Sequence, residues 1–409
     1  MTAALTHPLI PSLPRLAGPA AWALRRMVLA RVHAQWQGGR MDLVLPSGET
    51  ERFGGDGPPD ATACIHDDRF FSRMLLRGEL GAGESYVAGE WSSSDLAGAI
   101  RLFLRATGAR GFESPLTRIA QLPARWRHRR AANTPGGSER NIHAHYDVGN
   151  AFYRLFLDDD TLAYSCAIWR DATTLAEAQR AKFERLCAIL DLGPRDHLLE
   201  IGCGWGGMAL HAAQTRGCRV TAITVSREQH ALASARVAAA GLADLVSIEY
   251  CDYRELSGTF TKIASIEMLE AVGYEYLPSY FAACARVLAP GGRLAVQSIT
   301  MPHARFDAYR RGVDWMQTYI FPGSLIPSLP VIEAAAAPFA LADSLDIGPD
   351  YAPTLRAWRD RFLTQRPAVR DLGFDEPFVR TWLLYLAFSE AAFAERTLGD
   401  HQLLFTLPR

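Results

Sequence analysis

An α/β fold is predicted for this chain, and three observations predict it. Residues 196–209 read DHLLEIGCGWGGMA: an apolar run of Leu198, Leu199 and Ile201 broken only by Glu200, a glycine turn, and the opening of a helix. Four further short apolar runs follow by residue 300, with helical patterns between them. Such alternation implies a parallel sheet covered on both faces, with ligands at the carboxyl ends of the strands. A region of different patterning precedes this core. The expectation is a Rossmann-like sheet with a helical cap, plus a smaller N-terminal α+β domain. The expected boundaries are 1–115 for the small domain, 116–140 for an Arg-rich connector and 141–409 for the core.

Composition bounds the classes open to the chain. Its 409 residues are too many for one ordinary core, and 49% hydrophobic with 21% charged residues describes a folded protein. Net charge is −1, unevenly spread. Residues 1–140 hold 18 Arg and no Lys against 13 acids, whereas the remainder holds 25 basic residues against 31 acids. A basic N-terminal part suits an anionic surface as partner. The seven cysteines form no C-x-x-C pair, which suggests free thiols in a reducing cytoplasm and no zinc site. No run of eighteen apolar residues predicts a transmembrane helix. The apolar stretch 16–24 lacks a basic start and sits among prolines, unlike a signal peptide.

In order along the chain, 20–34 predicts a helix, and 41–45 with 51–53 a hairpin. A short helix over 70–77 stops near Gly78, and 78–91 (GELGAGESYVAGEW) suggests a loop with ordered turns. Another amphipathic helix covers 95–104. ARWRHRR, residues 124–130, places Arg125, Arg127, Arg129 and Arg130 around Trp126. That pattern fits a solvated helix end or an interfacial anchor, since Arg attracts anionic head groups and Trp favours their level. AANTPGGS, 131–138, is a linker by composition. Leu175, Ala178, Phe183, Leu186 and Leu190 recur at helical spacing over 175–190. The strands are 197–201, 218–225, 245–250, 262–267 and 293–300, with helices over 227–240 and 276–288. Residues 302–396 are mostly helical and expected to cap the pocket; 401–407 closes the sheet.

The glycine turn has the register E-x-G-x-G-x-G, not a dinucleotide fingerprint, and lacks the G-K-[ST] of a phosphate loop. It resembles the first motif of class I S-adenosylmethionine (SAM) methyltransferases. The resemblance sharpens with further motifs in order: HYDVGNAFYRLFLDDDTLAYSCAIW, LEIGCGWGG, TVSREQ, Asp252-Tyr253-Arg254, MLEAVG, YIFPGS and YLAFSEAAF. Together they resemble the cyclopropane-fatty-acyl-phospholipid synthase family, which includes the mycolic acid methyltransferases. Residues 78–91 resemble the N-terminal domain of its phospholipid-acting members, so the likeness covers about 65–409.

The resemblance implies methyl transfer from SAM to a cis double bond of a membrane phospholipid acyl chain. The carbocation so formed is stabilised by aromatic faces in a dry tunnel and loses a proton to bound bicarbonate, closing a cyclopropane ring. Aromatics near the rim, among them Tyr146, Tyr164, Trp169, Tyr274, Tyr319, Phe321 and Tyr385, suit either that role or core packing. The resemblance assigns SAM contacts to Tyr146, Tyr164, Ser165, Glu200, Gly202, Gly204, Gly206, Thr224, Ser226, Gln229, Asp252 and Tyr253. It assigns bicarbonate to Cys166, Glu270, Gln297, Ile299 and Tyr385, and no metal. A neutral Thr224 and Ser226 stand where an acid normally holds the ribose, and Gln297 stands where the phospholipid synthases usually carry His.

The ring product is the expected one, with a methyl or methylene branch as the same-fold alternative. A non-catalytic lipid-binding protein is a different class, opposed by the intact glycines, Cys166, Glu270 and Tyr385. Nucleic acid is not expected as a partner, because the chain lacks an N/D-P-P-Y/F motif. The expected place is the cytoplasmic face of the membrane, peripherally bound. The oligomeric state stays open, a homodimer included.

Overall fold

The computed structural model describes residues 10–15, 18–107 and 148–407. The chain divides into two compact units. One comprises the described residues of 1–130 with 311–322 and 366–395; the other comprises those of 131–310 with 323–365 and 396–409. Two segments of the helical region expected to cap the core therefore group with the N-terminal unit.

In the larger unit, five strands run parallel as expected: β5 (His197–Ile201), β6 (Arg219–Thr224), β7 (Val246–Tyr250), β8 (Phe260–Ile266) and β9 (Leu288–Thr300). Two antiparallel strands extend the sheet, β10 (Ala340–Asp346) and β11 (Gly399–Thr406), giving the order β10-β11-β9-β8-β5-β6-β7. Leu198 and Val220 lie in one apolar cluster with Phe183, Leu186 and Leu190 of helix Leu175–Leu190. Leu199 and Ile201, of opposite alternation, join Phe281, Leu294 and Leu403 in another. Strand β5 thus contributes side chains to both covering layers. Helix Leu175–Leu190 begins at a capping box in which Thr174 and Glu177 satisfy each other's backbone N–H groups.

In β11, antiparallel pairing sets Asp400 opposite Ile299 and Gln402 opposite Gln297. Strand β10 carries no apolar alternation (ALADSLD) and is exposed along most of its length, an edge strand defined by its ladder to β11.

In the smaller unit, β1 (Met41–Val44) and β2 (Thr50–Phe53) form the expected hairpin within the sheet β2-β1-β3-β4, completed by β3 (Ala61–Ile65) and β4 (Trp91–Ser93). The stretch expected to be a loop is instead helical. Helix Arg69–Val87 bends at Gly78 (φ 58°, ψ −133°) and continues. Gly81 and Gly83 are there for close approach, not for turns: a Cβ on Gly83 would stand 2.5 Å from Cδ1 of Trp315. Within the same unit, Glu84 accepts hydrogen bonds from Tyr319 Oη at 2.7 Å and lies 2.9 Å from an Arg77 guanidinium nitrogen.

Candidate active site: a glycine-turn pocket with a buried carboxylate cluster

The carboxyl ends of β5, β6 and β8, with the segment just after β7, surround a cavity of about 170 Å³. Among the expected cofactor contacts, Tyr164, Ser165, Glu200, Gly202, Gly204, Thr224, Gln229, Asp252 and Tyr253 line it. Gly204 has φ +52°, and a Cβ there would meet nothing within 4 Å, so the turn leaves open space on the pocket side. Gly206 and Ser226 do not line the cavity. Gly206, at φ +82°, precedes helix Gly207–Arg216 and packs toward Ala233. Ser226 caps helix Arg227–Ala239 by accepting from the Gln229 backbone N–H at 3.3 Å. Thr224 Oγ1 donates to Gln229 Oε1 at 2.8 Å, which fixes both side chains at the rim. Asp252 is held by the Arg254 backbone N–H and guanidinium at 2.9 and 3.0 Å. Tyr253 lines the cavity, is buried, and has Arg254 and Ser279 beside its hydroxyl. Tyr146 and the Arg125–Arg130 cluster lie outside the described residues.

One wall is aromatic. The Tyr164 ring centroid lies 5.3 Å from those of both Tyr153 and Trp358, and Tyr153 lies 5.0 Å from Trp205. Tyr164 and Trp205 reach the cavity itself.

Beside the pocket the expected ion-holding residues form a second constellation. Cys166 contributes its backbone, not its sulfur: its N–H donates to Glu267 Oε1 at 2.7 Å. The thiol is fully buried, donates to the Ala167 carbonyl at 3.3 Å, and is pushed well above its usual range by burial. Gln297 Nε2 donates to the same Glu267 oxygen at 2.9 Å, and Tyr351 Oη donates to Glu267 Oε2 at 2.7 Å. Ile299 N–H and Ser298 Oγ donate to Glu270 Oε1, at 2.5 and 3.0 Å. The donors expected for bicarbonate on Cys166, Gln297 and Ile299 are therefore engaged by two side-chain carboxylates. The other oxygen of the Glu270 carboxyl, Oε2, is buried with no hydrogen-bond partner among the described residues. Tyr385 belongs to the other unit, on helix Glu376–Ala394, with its ring 5.6 Å from Phe321.

Sequence reasoning missed Glu267, Asp400, Lys182 and Tyr351. Glu267 lines the pocket, follows β8 directly and adopts φ +50°, a conformation that non-glycine residues hold only when their surroundings enforce it. Lys182 and Gln179 interrupt the apolar stripe of helix Leu175–Leu190, a signal that was available. Both converge on Ser165: Lys182 Nζ lies 2.6 Å from its hydroxyl, and Gln179 Nε2 donates to its carbonyl at 2.9 Å.

Burial sets the protonation of the cluster. It pushes Glu200 up to about 8, against the Ala209 N–H and Lys182. It also raises Glu270 to about 8, with the Glu267 charge adding to the effect. Asp400 is pushed well above the usual carboxylate range, by burial first and then by the Glu267 charge. Burial pushes Lys182 down to about 8, opposed by the acids around it. Near neutrality, protons thus reside on Glu200, Glu270 and Asp400. Glu267 accepts from three donors, the Cys166 N–H, Gln297 Nε2 and Tyr351 Oη.

Residues 135–403 match the family model described as mycolic acid cyclopropane synthetase. A tuberculostearic acid methyltransferase of Mycobacterium tuberculosis is 38% identical over 96% of this chain and 92% of its own. A cyclopropane-fatty-acyl-phospholipid synthase of Escherichia coli is 34% identical over 86% of this chain and 89% of its own. Among solved structures, a mycolic acid cyclopropane synthase complexed with SAH and CTAB is 28% identical, with a TM-score of 0.61 over 66% of this chain and 98% of that one.

Proposed function

Because the chain belongs to the mycolic acid cyclopropane synthetase family, we propose that it transfers a methyl group from SAM to the cis double bond of an acyl chain, with Glu267 as the proton acceptor. The observation that carries this reading is the set of donors on the Glu267 carboxylate, those of Cys166 and Gln297 being groups expected to hold a separate ion. SAM, when bound, supplies an electrophilic methyl group. The glycine turn at 202–207, Thr224, Gln229, Asp252 and Tyr253 would hold it, and Tyr164 and Trp205 line the same cavity.

An alkene has no proton to lose before attack, so the chain's work comes after the new carbon–carbon bond forms. The cation left on the neighbouring carbon is stabilised by aromatic faces, and a dry wall denies it water. Glu267 then accepts a proton, next to an Asp400 that already carries one. Before the substrate loses that proton, a hydride moves from the methyl-bearing carbon to the cationic one. Proton loss from the new methyl then leaves a methylene branch. The relative that spans 96% of this chain and is named for tuberculostearic acid supports this outcome. The second reading is direct proton loss from the new methyl with ring closure on phospholipid acyl chains, favoured by the similarity to the Escherichia coli synthase.

Proton NMR of lipid extracted after expression in a host lacking such modification tests the two. Exocyclic methylene (=CH2) signals, absent from the unmodified lipid, without upfield ring signals support the branch, and upfield ring signals without exocyclic methylene signals support the ring. Glu267→Gln should lose turnover by about a hundredfold or more while SAM affinity persists. Turnover at the wild-type rate in that variant would remove Glu267 from the mechanism.

A further inference from the structure

We infer that Arg185 and Gln402 are positioning residues, a donor chain that fixes which end of the Gln297 amide faces Glu267. The inference rests on the reading of Glu267 as proton acceptor. Gln297 and Gln402 are fully buried. A glutamine amide has a donating and an accepting end of nearly the same shape, so packing alone does not choose between its two orientations. Here a hydrogen-bond chain chooses. Arg185 Nη1 donates to Gln402 Oε1 at 2.9 Å, Gln402 Nε2 donates to Gln297 Oε1 at 3.0 Å, and Gln297 Nε2 donates to Glu267 Oε1 at 2.9 Å. A guanidinium can only donate. It therefore demands the carbonyl of Gln402, which sends the Gln402 amide nitrogen to the carbonyl of Gln297, which sends the Gln297 nitrogen to Glu267. Asp343 holds the outer end, with its Oδ2 2.9 Å from Arg185 Nη2.

At the inner end the short contacts favour the same orientation. Around Gln297 Nε2 stand the Cys166 carbonyl at 3.2 Å and Asp400 Oδ2 at 3.4 Å, besides Glu267. A reversed Gln297 would set its oxygen against the Glu267 carboxylate and the Cys166 carbonyl, acceptor facing acceptor. Cross-strand pairing of Gln297 with Gln402 keeps the middle link in register. Arg185 comes from the helix Leu175–Leu190, which also carries Lys182. One helix therefore supplies both the direction of the amide chain and the cation of the acid cluster.

The test uses the purified full-length chain, with SAM and an unsaturated phospholipid as substrates. Gln402→Met removes the middle link at similar volume. Arg185→Met removes the outer donor at the edge of the core, where folding is less at stake. Arg185→Lys keeps a donor-only group. Both Met variants should lose about tenfold in kcat with KM for SAM unchanged, and their NMR product ratio should shift. Arg185→Lys should recover most of the turnover. A purely packing role would not produce rescue by Lys or a changed product ratio. Wild-type kcat and products in both Met variants would overturn the inference, as would a Lys variant no better than Met. Loss in Glu267→Gln alongside unchanged Met variants would leave the acceptor reading standing without the donor chain. Full activity of Glu267→Gln would remove both.

Discussion

Gly204 and Glu270 show how single residues carry the site's two requirements, room for a ligand and control of charge. At Gly204 the backbone has φ +52°, and the space where a Cβ would stand is open within 4 Å. Gly204→Val therefore meets backbone strain and fills the ligand's side of the turn. SAM affinity by calorimetry should drop at least tenfold while the circular dichroism spectrum stays that of the folded protein; unchanged affinity would move the SAM site elsewhere. Glu270 is raised to about 8 by burial, then by Glu267. The unfolded chain gives up this proton near the ordinary carboxylate value, whereas the folded chain keeps it up to about 8. The folded state then binds more protons across that window, so Glu270 makes stability fall as pH rises through it. Glu200 acts with the same sign, and Lys182, lowered to about 8, acts only above the window. Urea unfolding at pH 5 and pH 8 should show a smaller loss for Glu270→Gln than for the wild type, and equal losses would contradict the assignment. The glycines and Glu270 were legible because they sit in motifs next to strand ends. Glu267 was not, although it lies three residues from Glu270. Its role depends on a left-handed backbone conformation and on Tyr351, a partner 84 positions away.

At the scale of elements, the parallel strands were legible because each is a short apolar run bounded by turn residues, and the helices because their apolar positions recur at 3.6. Strands β3 and β4 escaped, and two other elements show why some do. Strand β10 is an exposed edge whose residues have no alternation to read, and only its pairing with β11 defines it. The second half of helix Arg69–Val87 reads as loop because of its glycines, yet those glycines serve contact. Gly81 has the Arg73 carbonyl 2.2 Å from where its Cβ would be, and Gly83 faces the Trp315 ring. Glycine weakens a helix by about 1 kcal/mol relative to alanine, so an exposed site would gain from Gly→Ala. At Gly83 the sign should reverse. The added methyl forces Trp315 aside, at a cost of about 1–3 kcal/mol. Chemical denaturation of Gly83→Ala measures it, and a variant more stable than the wild type would show that the ring gives way freely. The same lesson applies to β11. Its apolar run predicted a strand, but antiparallel pairing is what delivers Asp400 and Gln402 to the cluster.

For the whole molecule, the proposed phospholipid substrate would set a physical problem, because its acyl chains lie in a bilayer and no helix among the described residues is long and apolar enough to cross one. Charge distribution suggests the solution. Residues 1–140 carry all the net positive charge, as 18 Arg against 13 acids, and the remainder is net acidic. Within the described part of that segment, helix Pro19–Gln35 exposes Trp22 and Met27, at 56% and 50% of their surface, with the Arg26 guanidinium 4.7 Å from the Trp22 ring centroid. A half-exposed Trp beside Arg suits the head-group level of a membrane. The Arg125–Arg130 run adds four more cations. Each basic residue near an anionic surface contributes about 1 kcal/mol, screened over a Debye length of about 8 Å at physiological salt. We therefore expect reversible binding to vesicles containing phosphatidylglycerol, stronger than to phosphatidylcholine alone, and weakened by raising salt toward 1 M. Replacing Arg125, Arg127, Arg129 and Arg130 together by Gln should reproduce the effect of salt. Trp22→Ala should weaken binding at all salt concentrations, because its contribution is apolar and not screened. Flotation assays separate these terms. Binding indifferent to salt and to the four Arg substitutions, yet lost in Trp22→Ala, would assign membrane contact to the apolar face of helix Pro19–Gln35 alone.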